Sequence, residues 1–279
     1  MNMKKKTAFI LCAVLIISIV CVCALRSNYV LICGKIINRS ATEVVLSGEE
    51  LPDVEKLHRI NELKTLDLRE FDISLEFYEM LCAEFPGCEI LWIVPFQGEN
   101  WDNYATDITV TSMTPEYVDM LKYFPKLQSV DARQCRDYPA LMELIAARPD
   151  LKVRYNVTLG AEVLQENATD CTVTNENVRT LLEMLPYLPE LKTVTSDGCT
   201  DYDALMAIRD ARPELSVHYS VVIGQTPRTA DATALRLDIA DAAEAVELLQ
   251  YFPDLTEVTF EGPATNYDLM YQLKCRYPD

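Results

Sequence analysis

Pro125-Lys126-Leu127-Gln128-Ser129-Val130 recurs as Pro189-Glu190-Leu191-Lys192-Thr193-Val194 and again as Pro253-Asp254-Leu255-Thr256-Glu257-Val258, 64 residues further on each time. Leu63-Lys64-Thr65-Leu66 is an earlier copy, another 64 residues back. Two further markers keep the same phase. Ala-Thr stands at 41–42, 105–106, 168–169 and 232–233, and a glycine ends an apolar alternation at Gly34, Gly98, Gly160 and Gly224. Three markers in phase over residues 29–279 identify one supersecondary unit used repeatedly.

Each period reads as three strands, because apolar residues alternate where one face is buried. The first strand carries Val44/Leu46, Ile108/Val110, Cys171/Val173 and Leu235/Leu237. The second runs Leu63-x-x-Leu66-x-Leu68 and its copies through Ala132, Ser196 and Phe260. The third runs Ile90-Trp92-Val94-Phe96, Val153-Tyr155-Val157-Leu159 and Val217-Tyr219-Val221-Ile223, with Tyr29-Leu31-Cys33 as a leading copy. Two helices lie between the strands. The first set is expected at Glu49–Ile60, Pro115–Tyr123, Glu176–Tyr187 and Ala242–Tyr251, with capping boxes at Ser47-x-x-Glu50 and Asp241-x-x-Glu244 and a Thr114 cap before Pro115. The second set starts at the cap residues Ser74, Asp137, Asp201 and Asn266 and stops at Pro86, Pro149, Pro213 and Pro278.

Strand-to-strand steps are 22, 23 and 18 residues from Ile108 to Val130, Val153 and Cys171. The 18-residue step is too short for a full helix, so the third strand is expected to bend or form a hairpin near its glycine.

Leu127-x-x-Val130-x-Ala132-x-x-Cys135 and Leu191-x-x-Val194-x-Ser196-x-x-Cys199 match the leucine-rich repeat pattern, with Phe71 and Pro263 departing from it in the other copies. With Pro86–Gly98 and Ala105-Thr106-Asp107, they make residues 29–279 similar to repeats in leucine-rich-repeat-like surface proteins of gut Firmicutes. The resemblance implies an exported protein and supplies no catalytic or ligand residues. The expected fold class is α/β, a leucine-rich-repeat-like β/α solenoid with a mainly parallel sheet.

The N-terminus adds a second expectation. Lys4-Lys5-Lys6 precedes an unbroken apolar run over 7–25, which as a helix would be about 28 Å long, close to a bilayer's hydrocarbon thickness. Residues 1–6 are read as a cytoplasmic basic tail, 7–25 as a transmembrane signal anchor, and the rest as an extracellular domain on a single-pass membrane protein. Cleavage near Ala24 with secretion is the alternative.

Composition narrows the function. Forty-three acidic residues against 25 basic give a net charge of −18. Such a chain lacks the cations that displace counterions from DNA or RNA, so no nucleic acid partner is expected. Ten cysteines include no CxxC pair, and there are only two histidines, so no metal site or other cofactor is expected. A disulfide between Cys82 and Cys88 is one reading of their spacing; core packing is the other. No GxSxG, Walker loop, HExxH or GxGxxG occurs, which argues against an enzyme.

A non-enzymatic module that binds a protein or a glycan is the expected function, with a structural or assembly subunit of the cell envelope as the alternative. The candidate contact row is the outward face of the second strands: Asp67, Arg69, Asp131, Arg133, Thr195, Asp197, Thr259 and Glu261. Trp101 and Tyr104 are candidate exposed aromatic contacts. The last repeat shows no third strand after Pro278, so self-association at its open edge is a further expectation.

Overall fold

A computed structural model describes residues 28–262 and 267–277. Parallel strand pairs or triplets recur in the phase of the sequence repeat in the first, third and fourth repeats. In the first repeat, β3 (Glu43–Val45), β4 (Thr65–Asp67) and β5 (Glu89–Leu91) align Val44, Leu66 and Ile90 in one buried row. In the third, β12 (Asp170–Val173), β13 (Thr193–Ser196) and β14 (Ser216–His218) align Cys171, Val194 and Val217. In the fourth, β17 (Ala234–Asp238) pairs with β18 (Glu257–Glu261). The second repeat forms a four-stranded sheet in the order β11 (Glu162–Gln165), β10 (Lys152–Leu159), β9 (Ser129–Ala132), β8 (Asp107–Thr109).

Every third strand then turns back on itself. β1 (Tyr29–Ile32) pairs antiparallel with β2 (Lys35–Asn38), β6 (Ile93–Phe96) with β7 (Glu99–Asp102), β10 with β11, and β15 (Ser220–Ile223) with β16 (Thr226–Thr229). The two-residue loops explain the glycines. Cys33-Gly34, Gln97-Gly98 and Gly224-Gln225 all hold positive φ at both positions, the twist that two-residue hairpins favour.

These hairpins overturn the solenoid. The described strands build seven separate sheets of two to four strands, in mixed orientation, and not one continuous, mainly parallel sheet. The returning chain takes the outer edge of each third strand, where a solenoid would seat its next coil. Asn103 donates its N–H to the carbonyl of Trp92 (3.1 Å), Glu166 to that of Tyr155 (3.1 Å) and Ala230 to that of Tyr219 (3.0 Å). In the first repeat the blockage is complete. The Asn103 amide oxygen accepts from the Trp92 N–H at 3.0 Å, and its NH2 donates to the Ile90 carbonyl at 2.9 Å, so a side chain stands in for a strand.

The same pattern corrects the aromatic register. Arg39 donates its N–H to the Asn28 carbonyl, so Asn28, not Tyr29, occupies the place of Trp92, Tyr155 and Tyr219. Tyr29 is 39% exposed, whereas the other three are 0–5% exposed.

The helices are α1 (Val54–Leu57), α2 (Leu75–Glu84), α3 (Pro115–Met120), α4 (Tyr138–Ala147), α5 (Val178–Met184), α6 (Tyr202–Ala211), α7 (Ala242–Leu248) and α8 (Tyr267–Arg276). Ser74 and Asp201 cap as expected, accepting from the N–H groups of Phe77 and Ala204 at 3.2 Å each. Three capping expectations fail. Residues 49–53 are not helical; Asp53, not Ser47, caps α1. Asp137 turns away from α4 to accept from the Met113 N–H at 2.8 Å. Asp241 makes no side-chain cap, and Glu244 accepts from the Gly224 N–H at 3.0 Å instead. The Asn266 cap lies outside the described residues.

By contact density the chain divides into two units. The first comprises the residues up to Thr109, with Thr114–Val130 and Asp150–Lys152. Its core holds Leu46, Leu66, Leu68 and Ile90 beneath an aromatic cluster, in which Tyr78 stacks on Trp92 (4.5 Å) and Tyr123 meets Trp92 edge-on (6.1 Å). The second comprises Val110–Met113, Asp131–Pro149 and the chain from Val153 onward. There the aromatic row is used twice in the same way: the Tyr155 hydroxyl donates to the Tyr187 carbonyl (3.0 Å) and the Tyr219 hydroxyl to the Tyr251 carbonyl (2.7 Å).

The single-pass membrane expectation fails on the described residues. None of their helices is long and apolar enough to cross a membrane, and the segment 7–25 lies outside them.

Candidate functional site

The expected contact row divides into self-satisfied pairs and exposed positions. In the first unit, Arg69 clasps Asp67 through Nε–Oδ1 (3.0 Å) and Nη2–Oδ2 (2.6 Å), and its Nη1 reaches Asp102 at 2.8 Å. The bidentate guanidinium holds the Asp67 carboxyl below the usual carboxylate range, against the opposing effect of burial. In the second unit, Arg133 clasps Asp131 by the same two bonds, at 2.9 and 2.5 Å. Each arginine stands two residues beyond its aspartate, just past the end of the strand, which brings the pair together. Their polar atoms are committed inside the protein, which leaves them less to offer a ligand.

Thr195, Asp197, Thr259 and Glu261 are exposed. Trp101 and Tyr104, expected to be exposed, are half-buried: Trp101 pairs with Val94 in the β6–β7 hairpin, and Lys126 lies over the Tyr104 ring at 5.6 Å. Of all these residues, Thr195 lines a well-formed concavity.

That concavity belongs to the second unit and has a volume of about 420 Å³, within the range of small-ligand sites. Its floor is the register of β13 and β14, which sets Thr195 opposite His218. One wall is the segment from Ser196 to Tyr202. The other is the β15–β16 hairpin with Ser220, Val222, Pro227 and Thr229, and Asp231 follows that hairpin.

The wall before α6 is held by bonds that do not involve a ligand. The Asn175 carboxamide oxygen accepts from the N–H groups of Thr200 (2.7 Å) and Asp201 (3.2 Å). The Ser196 hydroxyl accepts from the Cys199 N–H at 3.2 Å. Asp201 caps α6 and receives Arg179 Nε at 2.6 Å. The hairpin is tied to the same helix, because the Tyr202 hydroxyl accepts from the Val222 N–H at 3.2 Å. A wall fixed in this way spares a ligand part of the ordering cost of binding.

Against these fixed walls, the side chains of His218 and Asp231 have no hydrogen-bond partner among the described residues. The cleft therefore presents an imidazole, a carboxylate and several hydroxyls beside the apolar surfaces of Val217, Val222 and Pro227. The arrangement offers hydrogen bonding and apolar contact. His218 is not hydrogen-bonded to Ser220, Thr229 or Asp231. Burial raises the Cys199 thiol above its ordinary value, and it pushes the Tyr219 hydroxyl up to about 12, which keeps both neutral near pH 7. No cluster of three or more His, Cys, Asp or Glu among the described residues could hold a metal ion. All seven described cysteines are free thiols, Cys82 and Cys88 included.

Sequence alone counted His218 only as one of two histidines and did not single out Ser220, Thr229 or Asp231. The 23-residue step from Val194 to Val217 was the available signal for His218, because it places the next residues, Thr195 and His218, side by side. No protein family, curated protein or solved structure matches this chain.

Proposed function

We propose that this chain is a non-enzymatic binding module that takes a saccharide-sized, polyhydroxylated ligand in the cleft between β13, β14 and the β15–β16 hairpin. The observation that carries this reading is the pair of unengaged side chains, His218 and Asp231, in a concavity whose other polar residues are hydroxyls on a braced wall. A sugar's vicinal hydroxyls both donate and accept, which suits an imidazole, a carboxylate and threonine or serine hydroxyls together. Its C–H faces suit Val222 and Pro227.

A glycan array with the full chain, followed by calorimetry on the best ligand, tests it. His218→Ala and Asp231→Ala should each weaken binding about tenfold, equivalent to ~1.4 kcal/mol for a lost hydrogen bond to a charged or strongly polar group. The double variant Asp131→Ala, Arg133→Ala should stay within about threefold of the parent, since that pair satisfies itself. An empty array, or equal affinities for all variants, refutes the reading.

A further inference from the structure

The third repeat has a cleft where the first has an arginine. Leu66, Val130 and Val194 are one position in successive repeats, so Asp67 answers to Asp131 and Thr195, and Arg69 to Arg133 and Asp197. On the returning strands, Asp102 lies opposite Ile93 and Thr229 opposite Ser220. Ile93 and Ser220 follow the equivalent Trp92 and Tyr219, so Asp102 answers to Thr229. In the first repeat the Arg69 guanidinium spans from strand to hairpin, bonded to Asp67 at 3.0 and 2.6 Å and to Asp102 at 2.8 Å. In the second repeat Arg133 closes on Asp131 in the same way. In the third repeat the counterparts of Asp67 and Asp102 are Thr195 and Thr229, and both line the concavity of about 420 Å³. Asp197 stands where the arginine stood. The third repeat has lost the cation and kept the space between its two anchor points.

The charge left behind has one sign. The lining holds Asp231 and no Lys or Arg. Asp197, exposed, lies in the wall between the lining residues Ser196 and Gly198. Neither carboxylate has a hydrogen-bond or ion-pair partner among the described residues. The neighbouring cations are committed elsewhere. Arg179 is on Asp201 at 2.6 Å. Arg228 alternates with the lining residues Pro227 and Thr229, so it falls on the other face of the hairpin, and its Nη2 donates to the Arg236 carbonyl at 3.3 Å. The N-terminus of α6, which by its dipole would favour an anion, is already capped by Asp201. An acidic sugar would therefore bring a further carboxylate to Asp231 and Asp197, on a chain of net charge −18. A protonated amine would instead supply what Arg69 supplies in the first repeat, and a charge-assisted hydrogen bond to a carboxylate is about twice as strong as a neutral one.

We infer that the cleft selects, among saccharides, those carrying a protonated amine, which pairs with Asp231 in the space that Arg69 fills in the first repeat. The inference rests on the saccharide reading proposed above and narrows it to amino sugars.

The probes are glucosamine, galactosamine and mannosamine, each beside its N-acetyl form and its parent hexose, titrated into the full chain at pH 7 and followed by NMR. Within each set the skeleton is constant and the charge changes. For at least one skeleton the amine form should bind about tenfold tighter than both neutral forms. Asp231→Asn should bring that ratio close to one. Thr195→Asp with Asp197→Arg rebuilds the clasp of the first two repeats inside the cleft and should abolish the preference as well. Equal binding of amine and neutral forms overturns this inference and leaves the saccharide reading standing. Binding by none of the probes overturns it too, and the glycan array then decides the saccharide reading by itself. A preference for the amine that survives both variants is attraction to the acidic surface at large, and overturns it equally.

Discussion

Replacing Asn103 with Ala removes the side chain that closes the first repeat's sheet. Asn103 is fully buried, and its carboxamide serves two backbone groups, the Trp92 N–H (3.0 Å) and the Ile90 carbonyl (2.9 Å). Neither group has water to turn to. An unpaired buried backbone group costs about 1–3 kcal/mol, so the substitution should destabilise the first unit by about 2–6 kcal/mol. That is a large share of a typical domain's ~5–15 kcal/mol. The melting transition of that unit should fall by roughly 10 °C.

Urea unfolding followed by tryptophan emission is the assay. The chain has two tryptophans, and Trp92, at 0% exposure, reports the affected strand directly. Hydrogen exchange at the Trp92 amide should accelerate in parallel. Asn103→Asp keeps the acceptor for Trp92 but loses the donor to Ile90 and buries a charge, so it should be at least as harmful. A loss under ~1 kcal/mol, with the Trp92 amide still protected, would refute the claim that this carboxamide terminates the sheet.

Three further outcomes follow from named contacts. Asp67 has its carboxyl pKa depressed in the folded state, chiefly by the Arg69 hydrogen bonds, so its stabilisation is present above the unfolded value near pH 4 and lost as the pH falls through the folded value; Asp67→Asn should flatten that acid limb in a pH series of urea midpoints. Gly224→Ala forces a side chain onto φ +56° and drives a Cβ into the Asp241 carboxylate, whereas Gly98→Ala, at φ +80°, meets open space; differential scanning calorimetry should show about 1 kcal/mol lost at Gly98 and clearly more at Gly224. Burial pushes the Cys171 thiol up to about 12, so peptide-mapped alkylation of the native protein at pH 8 should label the exposed Cys82 and Cys275 within minutes and leave Cys171 unmodified until urea is added.

The repeat was legible because its signals are local. Val44, Leu66 and Ile90, and likewise Cys171, Val194 and Val217, alternate with polar neighbours, and the glycines that end each third strand sit at positive φ. The arrangement of those strands was not legible, because it depends on where returning backbone bonds. Nothing in the local pattern of Asn103 says that its amide will face Trp92 and Ile90, and that contact is what ends the parallel ladder. Caps failed for a similar reason. Asp137 and Glu244 had better partners in the Met113 and Gly224 N–H groups than in their own helices.

The contact row failed differently. Asp67 and Arg69, and likewise Asp131 and Arg133, stand two residues apart, close enough to satisfy each other, and they do. The cleft took its second wall from the expected hairpin, whose Thr229 and the following Asp231 were not named from sequence.

The most direct test of the central claim is a hydrogen-exchange footprint of the full chain with and without a saturating saccharide identified by array. The account predicts protection concentrated at residues 195–202 and 217–231, with the first unit unchanged. Protection at Asp67–Arg69 or along β18 instead, with residues 195–202 and 217–231 unaffected, would contradict it.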